Sequence, residues 1–270
     1  MELRKIPAED ARSLAALRLT AEERVCFDLF SLILAQEDAL CRSDGAHCLL
    51  AQSREDTPLW VWLSHELPEE AEDGAAAGLA GSLARCPALH VTLDPGRGQG
   101  VLRKAAARSG LTPEVVLPMN VYACRKLSPL ALRGRAVVPR EEHRPVMAAL
   151  LRQMALDAEG QEVPEAAAAD FAQAMVGSDR LLLWEDGDIR AMAMIAHIGD
   201  GMGRINTVVT ERSRRGRGYA GMLTAALCER LLAQGITPML YADAGNPASN
   251  RAYRKIGMEC CGQVTEYRWR

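Results

Sequence analysis

The stretch between Thr207 and Met258 reads strand, Arg/Gly turn, amphipathic helix, strand, capped short helix, and it constrains the fold more than any other part of the chain. The apolar strand Ile205-Asn206-Thr207-Val208-Val209-Thr210 runs towards Arg215-Gly216-Arg217-Gly218-Tyr219-Ala220. Tyr219, Met222, Leu223, Ala226, Leu227 and Leu231 then recur at helical spacing, so one helix face is apolar. Gly235 stands where such a helix stops. A strand-to-helix turn of this kind leaves unpaired backbone N–H groups at a helix N-terminus, where the dipole also favours an anion such as a pyrophosphate. Gly216 and Gly218 allow close backbone approach, while Arg212, Arg214, Arg215 and Arg217 surround the turn with guanidinium forks. A solvated basic loop fits the same residues.

Spacing removes one alternative. There is no Gly-x-x-x-x-Gly-Lys-Ser/Thr, as a nucleoside-triphosphate loop needs. The second half of the stretch narrows the reading further. Strand Met239-Leu240-Tyr241-Ala242 leads to Asn246, placed as an N-cap, Pro247 as the first helical residue, and Gly257 as the stop. Asn250 and Tyr253 share a face of that helix. Arg-x-x-Gly-x-Ala on one helix and Asn-x-x-x-Asn-x-x-Tyr on the next resemble the GNAT superfamily of acyl-CoA N-acetyltransferases, over roughly the last half of the chain.

That resemblance implies an α/β (α+β) fold with a mixed, mostly antiparallel central sheet flanked by helices, and acetyl-CoA as cosubstrate. Arg215, Gly216, Arg217, Gly218, Tyr219 and Ala220 match the pyrophosphate loop. Val208, Val209 and Thr210 match the strand edge that pairs with the pantetheine arm, and Asn246 and Asn250 the positions that meet the lower part of the cofactor. Tyr253 matches the tyrosine that, in many relatives, protonates the leaving thiolate; a plain cap at Asn246 and a packed aromatic at Tyr253 are the alternatives, and their place in one motif favours the functional role for Tyr253. The implied chemistry is direct attack by a primary amine, with oxyanion stabilisation near Val209, worth about 3 kcal/mol per donor elsewhere, and general acid catalysis by Tyr253. Many relatives carry a strand glutamate as base. Here Asn206 and Thr207 fill that place, and Glu185, Glu211 and His197 have no spacing argument behind them. The alternative is an acyl-CoA-binding sensor or interaction module without catalysis.

Length and charge bound the rest. A chain of 270 residues has room for two modest domains, and a net charge of −3 gives no case for nucleic acid as the main partner. The expected partner is a small-molecule or peptide amine. Eight scattered cysteines make no Cys-x-x-Cys pair, so no metal site is expected, and free thiols suit a reducing compartment. The start Met1-Glu2-Leu3-Arg4-Lys5 lacks an apolar signal region, and the greasy pattern at Val25–Ala35 is too short for a bilayer. The expectation is a cytoplasmic protein with no membrane association.

In the C-terminal half a strand is expected at Ala136–Val138, and helices at Glu141–Leu156 and Glu165–Val176. A hairpin is expected around Glu185-Asp186-Gly187-Asp188, and two short strands at Glu259–Gly262 and Val264–Trp269. In the N-terminal half, Thr20 with Glu23 forms a capping box before an apolar helix through Ile33. Strands are expected at His47–Gln52, Leu59–Leu63, His90–Leu93 and Val115–Cys124, with helices at Ala75–Ala84 and Val101–Ser109. This mixture resembles a degenerate second copy, giving expected domains of 1–130 (degenerate, GNAT-like) and 131–270 (catalytic). Arg97-Gly98-Gln99-Gly100 looks like another phosphate loop, and an ordinary turn at Asp94-Pro95-Gly96 explains it equally well.

Overall fold

The computed structural model describes residues 3–130 and 133–270, and the expected boundary after residue 130 falls beside the two it leaves out. The chain forms two compact units. One comprises Met1–Val121, Asp243–Gly245 and Cys261–Arg270; the other comprises Tyr122–Ala242 and Asn246–Cys260.

In the first unit, β1 (Arg4–Ile6), β2 (Leu40–Ser43), β3 (Cys48–Gln52) and β4 (Leu59–Leu63) are antiparallel neighbours, and β4 pairs in parallel with β5 (Val91–Leu93). Helices α1 (Ala8–Arg18), α2 (Ala21–Cys26) and α3 (Leu29–Ile33) follow β1, and α4 (Glu69–Arg85) links β4 to β5. Next come α5 (Gln99–Ser109) and β6 (Pro113–Ala123). The last strand of the sequence, β12 (Glu259–Trp269), pairs antiparallel with β5, Thr265 opposite Leu93. Strands β3 and β4 are buried along their whole length, which is why they read as continuous apolar runs.

The second unit repeats this order. Strands β7 (Arg135–Val137), β8 (Leu181–Asp186), β9 (Asp188–Gly199) and β10 (Met202–Thr210) form an antiparallel meander, and β10 pairs in parallel with β11 (Thr237–Asp243). Helices α6 (Arg144–Glu159) and α7 (Glu165–Met175) lie between β7 and β8; α8 (Tyr219–Leu232) links β10 to β11, and α9 (Pro247–Lys255) follows. Alternate residues of β8 serve opposite faces of the sheet. Leu182 and Trp184 pack with Leu223, Leu227 and Leu231 of α8, whereas Leu181 and Leu183 pack with Met147, Leu150 and Ala172 of α6 and α7. Each such fully buried leucine contributes about 2 kcal/mol of apolar burial.

Three expectations change. The Thr20–Glu23 capping box forms, but the helix it starts breaks at Phe27–Asp28 into α2 and α3. The two short C-terminal strands are one, β12, running through Gly262. The β8–β9 hairpin is tighter than four residues, turning at Gly187 alone with φ of 76°. Strands β1 and β2 and helix α1 were not anticipated.

Candidate functional site

Strands β10 and β11 are in register for only three residues, Met202–Arg204 against Thr237–Met239. Beyond Arg204 the two part, and β10 bends within the opening. Its register with β9 shifts between Asn206 and Val209, and Thr207 takes a φ of 53° that β-branched residues rarely adopt. A bulge re-aims the strand that carries it. Val208, Val209 and Thr210 therefore lie on the stretch of β10 with no registered partner in β11.

The strand ends at Thr210 and the chain turns through Arg212–Arg214 to Gly216 and Gly218, at φ of 79° and 85°. A Cβ at either glycine would meet nothing within 4 Å, so these positions require the left-handed backbone rather than the space. Gly218 is the N-cap of α8, and no side chain caps the helix. The first-turn amides, including those of Tyr219 and Ala220, have no intrahelical acceptor, as an anion site at a helix start requires. The Tyr219 ring turns inward, its hydroxyl donating to Asp186 at 2.6 Å, so only its main chain faces the loop.

Helix α9 supplies the other wall. Asn246 caps it, accepting from the Ser249 N–H at 3.1 Å. Asn250 is buried, accepts from the Tyr122 hydroxyl at 2.9 Å and donates to the Asn246 carbonyl at 2.7 Å. Both side chains thus hold the helix in place. Tyr253 is 7 % exposed, with its ring centroid 6.0 Å from that of Tyr122. Burial pushes its phenol up to about 12. A Cβ added at Gly221 of α8 would lie 3.5 Å from Ile256, just past the end of α9, and 3.8 Å from the Ala252 carbonyl of α9, so the two helices approach to van der Waals contact there.

The carboxylates weighed as bases are occupied. Glu185 accepts from Arg135 at 2.6 Å. Glu211 is held below its usual range by the Ser213 hydroxyl and by Arg190. His197 lies opposite Arg204, at the closed end of the strand opening, and burial lowers its basicity. Among the described residues no cluster of His, Cys, Asp or Glu has metal-binding geometry, and all eight cysteines are free thiols.

Four residues that the sequence did not single out bond to the candidate residues or to the turn that carries them: Tyr122, Asp186, Gln153 and Asp157. The last two stand four apart on α6. Gln153 donates to the Thr210 carbonyl and accepts from the Arg212 N–H, both at 3.0 Å. Asp157 takes ion pairs from both Arg212 and Arg215. Only the i, i+4 spacing on one helix hinted at them.

The second Arg/Gly segment is closed. Arg97 donates to the buried Glu23 carboxylate, to the Leu63 carbonyl at 2.8 Å and to Asp94 at 3.2 Å. A Cβ on Gly100 would fall 2.1 Å from a Glu72 carboxylate oxygen, so an internal anion already lies against the first turn of α5.

Comparison with known proteins agrees with this fold. The FR47-like protein family matches residues 172–269. A GCN5-related N-acetyltransferase from Sphaerobacter thermophilus superposes with a TM-score of 0.65 at 19 % identity, over 98 % of this chain and 94 % of that one. An acetyltransferase of the GNAT family from Colwellia psychrerythraea gives 0.58 at 13 % identity, covering all of both chains. A tandem GNAT protein from the clavulanic acid biosynthesis pathway gives 0.56 at 14 % identity, over 100 % of this chain and 98 % of that one. No curated protein matches the sequence.

Proposed function

We propose that this chain, whose fold is the GNAT fold, is an N-acetyltransferase that moves an acetyl group from acetyl-CoA to a primary amine by direct attack. The observation that carries the reading is the conjunction on one edge of the second unit. A bulged strand parts from its parallel neighbour and ends in an uncapped glycine turn at the start of a helix. Main-chain groups of Val208–Thr210 then serve the amide-bearing arm of the donor, and the amides after Gly218 its diphosphate. The residues present fit that ligand, because the loop offers donors, positive charge and unfilled space.

Tyr253 completes the chemistry as general acid. Its hydroxyl makes no hydrogen bond among the described residues, and a phenol pushed up to about 12 keeps its proton at neutral pH. As the amine attacks and the C–S bond breaks, the phenol gives its proton to the departing sulfur. The burial that disfavours phenolate also disfavours a buried thiolate, so burial of both groups does not by itself widen the gap between them. Base catalysis falls to water or to the amine itself, since Glu185 and Glu211 are paired elsewhere.

The test is direct. Purified protein with acetyl-CoA and an amine panel should release free thiol in proportion to acetylated amine. A protein that binds coenzyme A yet turns over no acceptor would instead be a sensor, the reading that Asn206 and Thr207 favour by standing where relatives carry a glutamate.

A further inference from the structure

We infer that Gln153 and Asp157 are positioning residues for the diphosphate end of this site. They fasten Arg212 and Arg215 to α6 and leave Arg214, Arg217 and the first-turn amides of α8 to the ligand. The inference rests on the donor reading above and deepens it.

Four arginines fall between residues 212 and 217, so an unsupported loop repels itself. Helix α6 resolves this with two side chains one turn apart. The Gln153 amide bridges the end of β10 and the start of the turn, through Thr210 and Arg212. One Asp157 oxygen receives Arg212, whose Nε lies at 3.0 Å, and the other receives Arg215, whose Nε also reaches the Thr210 carbonyl at 3.4 Å. The two guanidinium groups hold the Asp157 carboxyl down to about 2, so it stays charged at any working pH. Arg214 and Arg217 are treated differently. Arg214 has its Nε buried with no acceptor, and Arg217 is exposed with no carboxylate in ion-pair range among the described residues. A turn already fixed in place loses less freedom when an anion arrives.

The alternative has the opposite sign: Asp157 would compete with the diphosphate for the same two arginines. Calorimetry with coenzyme A and with pantetheine, which lacks the diphosphate, separates the cases. In Asp157→Asn the coenzyme A-to-pantetheine affinity ratio should fall about tenfold, the scale of a lost charge-assisted contact. Gln153→Leu should move the ratio the same way, and Asp157→Glu should restore part of it. A merely structural role weakens both ligands together and leaves the ratio unchanged, which overturns the inference. Tighter coenzyme A binding by Asp157→Asn overturns it as well. A wild-type protein that ignores coenzyme A removes the donor reading itself, and this inference with it.

Discussion

The two units share one strand order, but the turns that follow the fourth strand of each have opposite chemistry. After β10 the chain passes through positive-φ glycines to an uncapped helix start surrounded by arginines. After β4 it passes through Pro68 into α4, whose first turn carries Glu69, Glu70 and Glu72. Those carboxylates satisfy the α4 dipole internally and repel an incoming anion. Strand β4 keeps unbroken register with β3, whereas β10 is bulged against β9. Seven residues past the N-cap, α9 places Tyr253 and α5 places Ala105. Shared topology therefore provides the scaffold, and among the described residues a bulge, a positive-φ glycine turn and a helix start without a side-chain cap coincide after β10 and not after β4.

The contrast can be broken experimentally. The largest effect is expected at Tyr253. Tyr253→Phe should lower kcat by about 1,000-fold, with acetyl-CoA KM within about twofold, because only the proton donor is lost. Comparable losses in both constants would point to a packing role. Next is Arg97→Ala in the first unit. It leaves the buried Glu23 carboxylate without its cation and should cost about 3 kcal/mol in denaturant unfolding. Coenzyme A affinity should not change; a weakened affinity would mean that the first unit holds donor after all. Gly218→Val forces a β-branched residue to φ of 85° and should weaken coenzyme A binding about 30-fold, the equivalent of roughly 2 kcal/mol of backbone strain. The smallest effect is that of pH. Tyr253 stays protonated below about 12 and Asp157 stays charged above about 2. Coenzyme A affinity measured between pH 5 and 9 should therefore show no step from either group, and a step near neutrality would implicate another one.

Much of this was legible because it is local. The capping box at Thr20, the helix at Glu165–Met175 and the Gly187 hairpin each rest on residues within a few positions of one another. The bracketing of α9 by Asn246, Pro247 and Gly257 is equally local. What escaped notice was either featureless or long-range. Helix α1 buries only Ala8 and Ala11, so it shows no apolar stripe. The break at Phe27–Asp28 has no glycine or proline to announce it. That β12 completes the first unit depends on pairing with residues far away in the sequence. In the candidate site, the Arg/Gly turn and Tyr253 stand out in the sequence as a pattern. Asp157 was invisible because an acid in a helix is ordinarily solvated, and the arginines it holds are more than fifty positions away.

The measurement closest to the central claim is calorimetric titration of coenzyme A into the wild-type protein, read for stoichiometry as well as affinity. One saturable site per chain, abolished or sharply weakened by Gly218→Val, is the outcome that an open second loop and a closed first one predict. No heat at millimolar ligand, or two equivalent sites per chain, would contradict it.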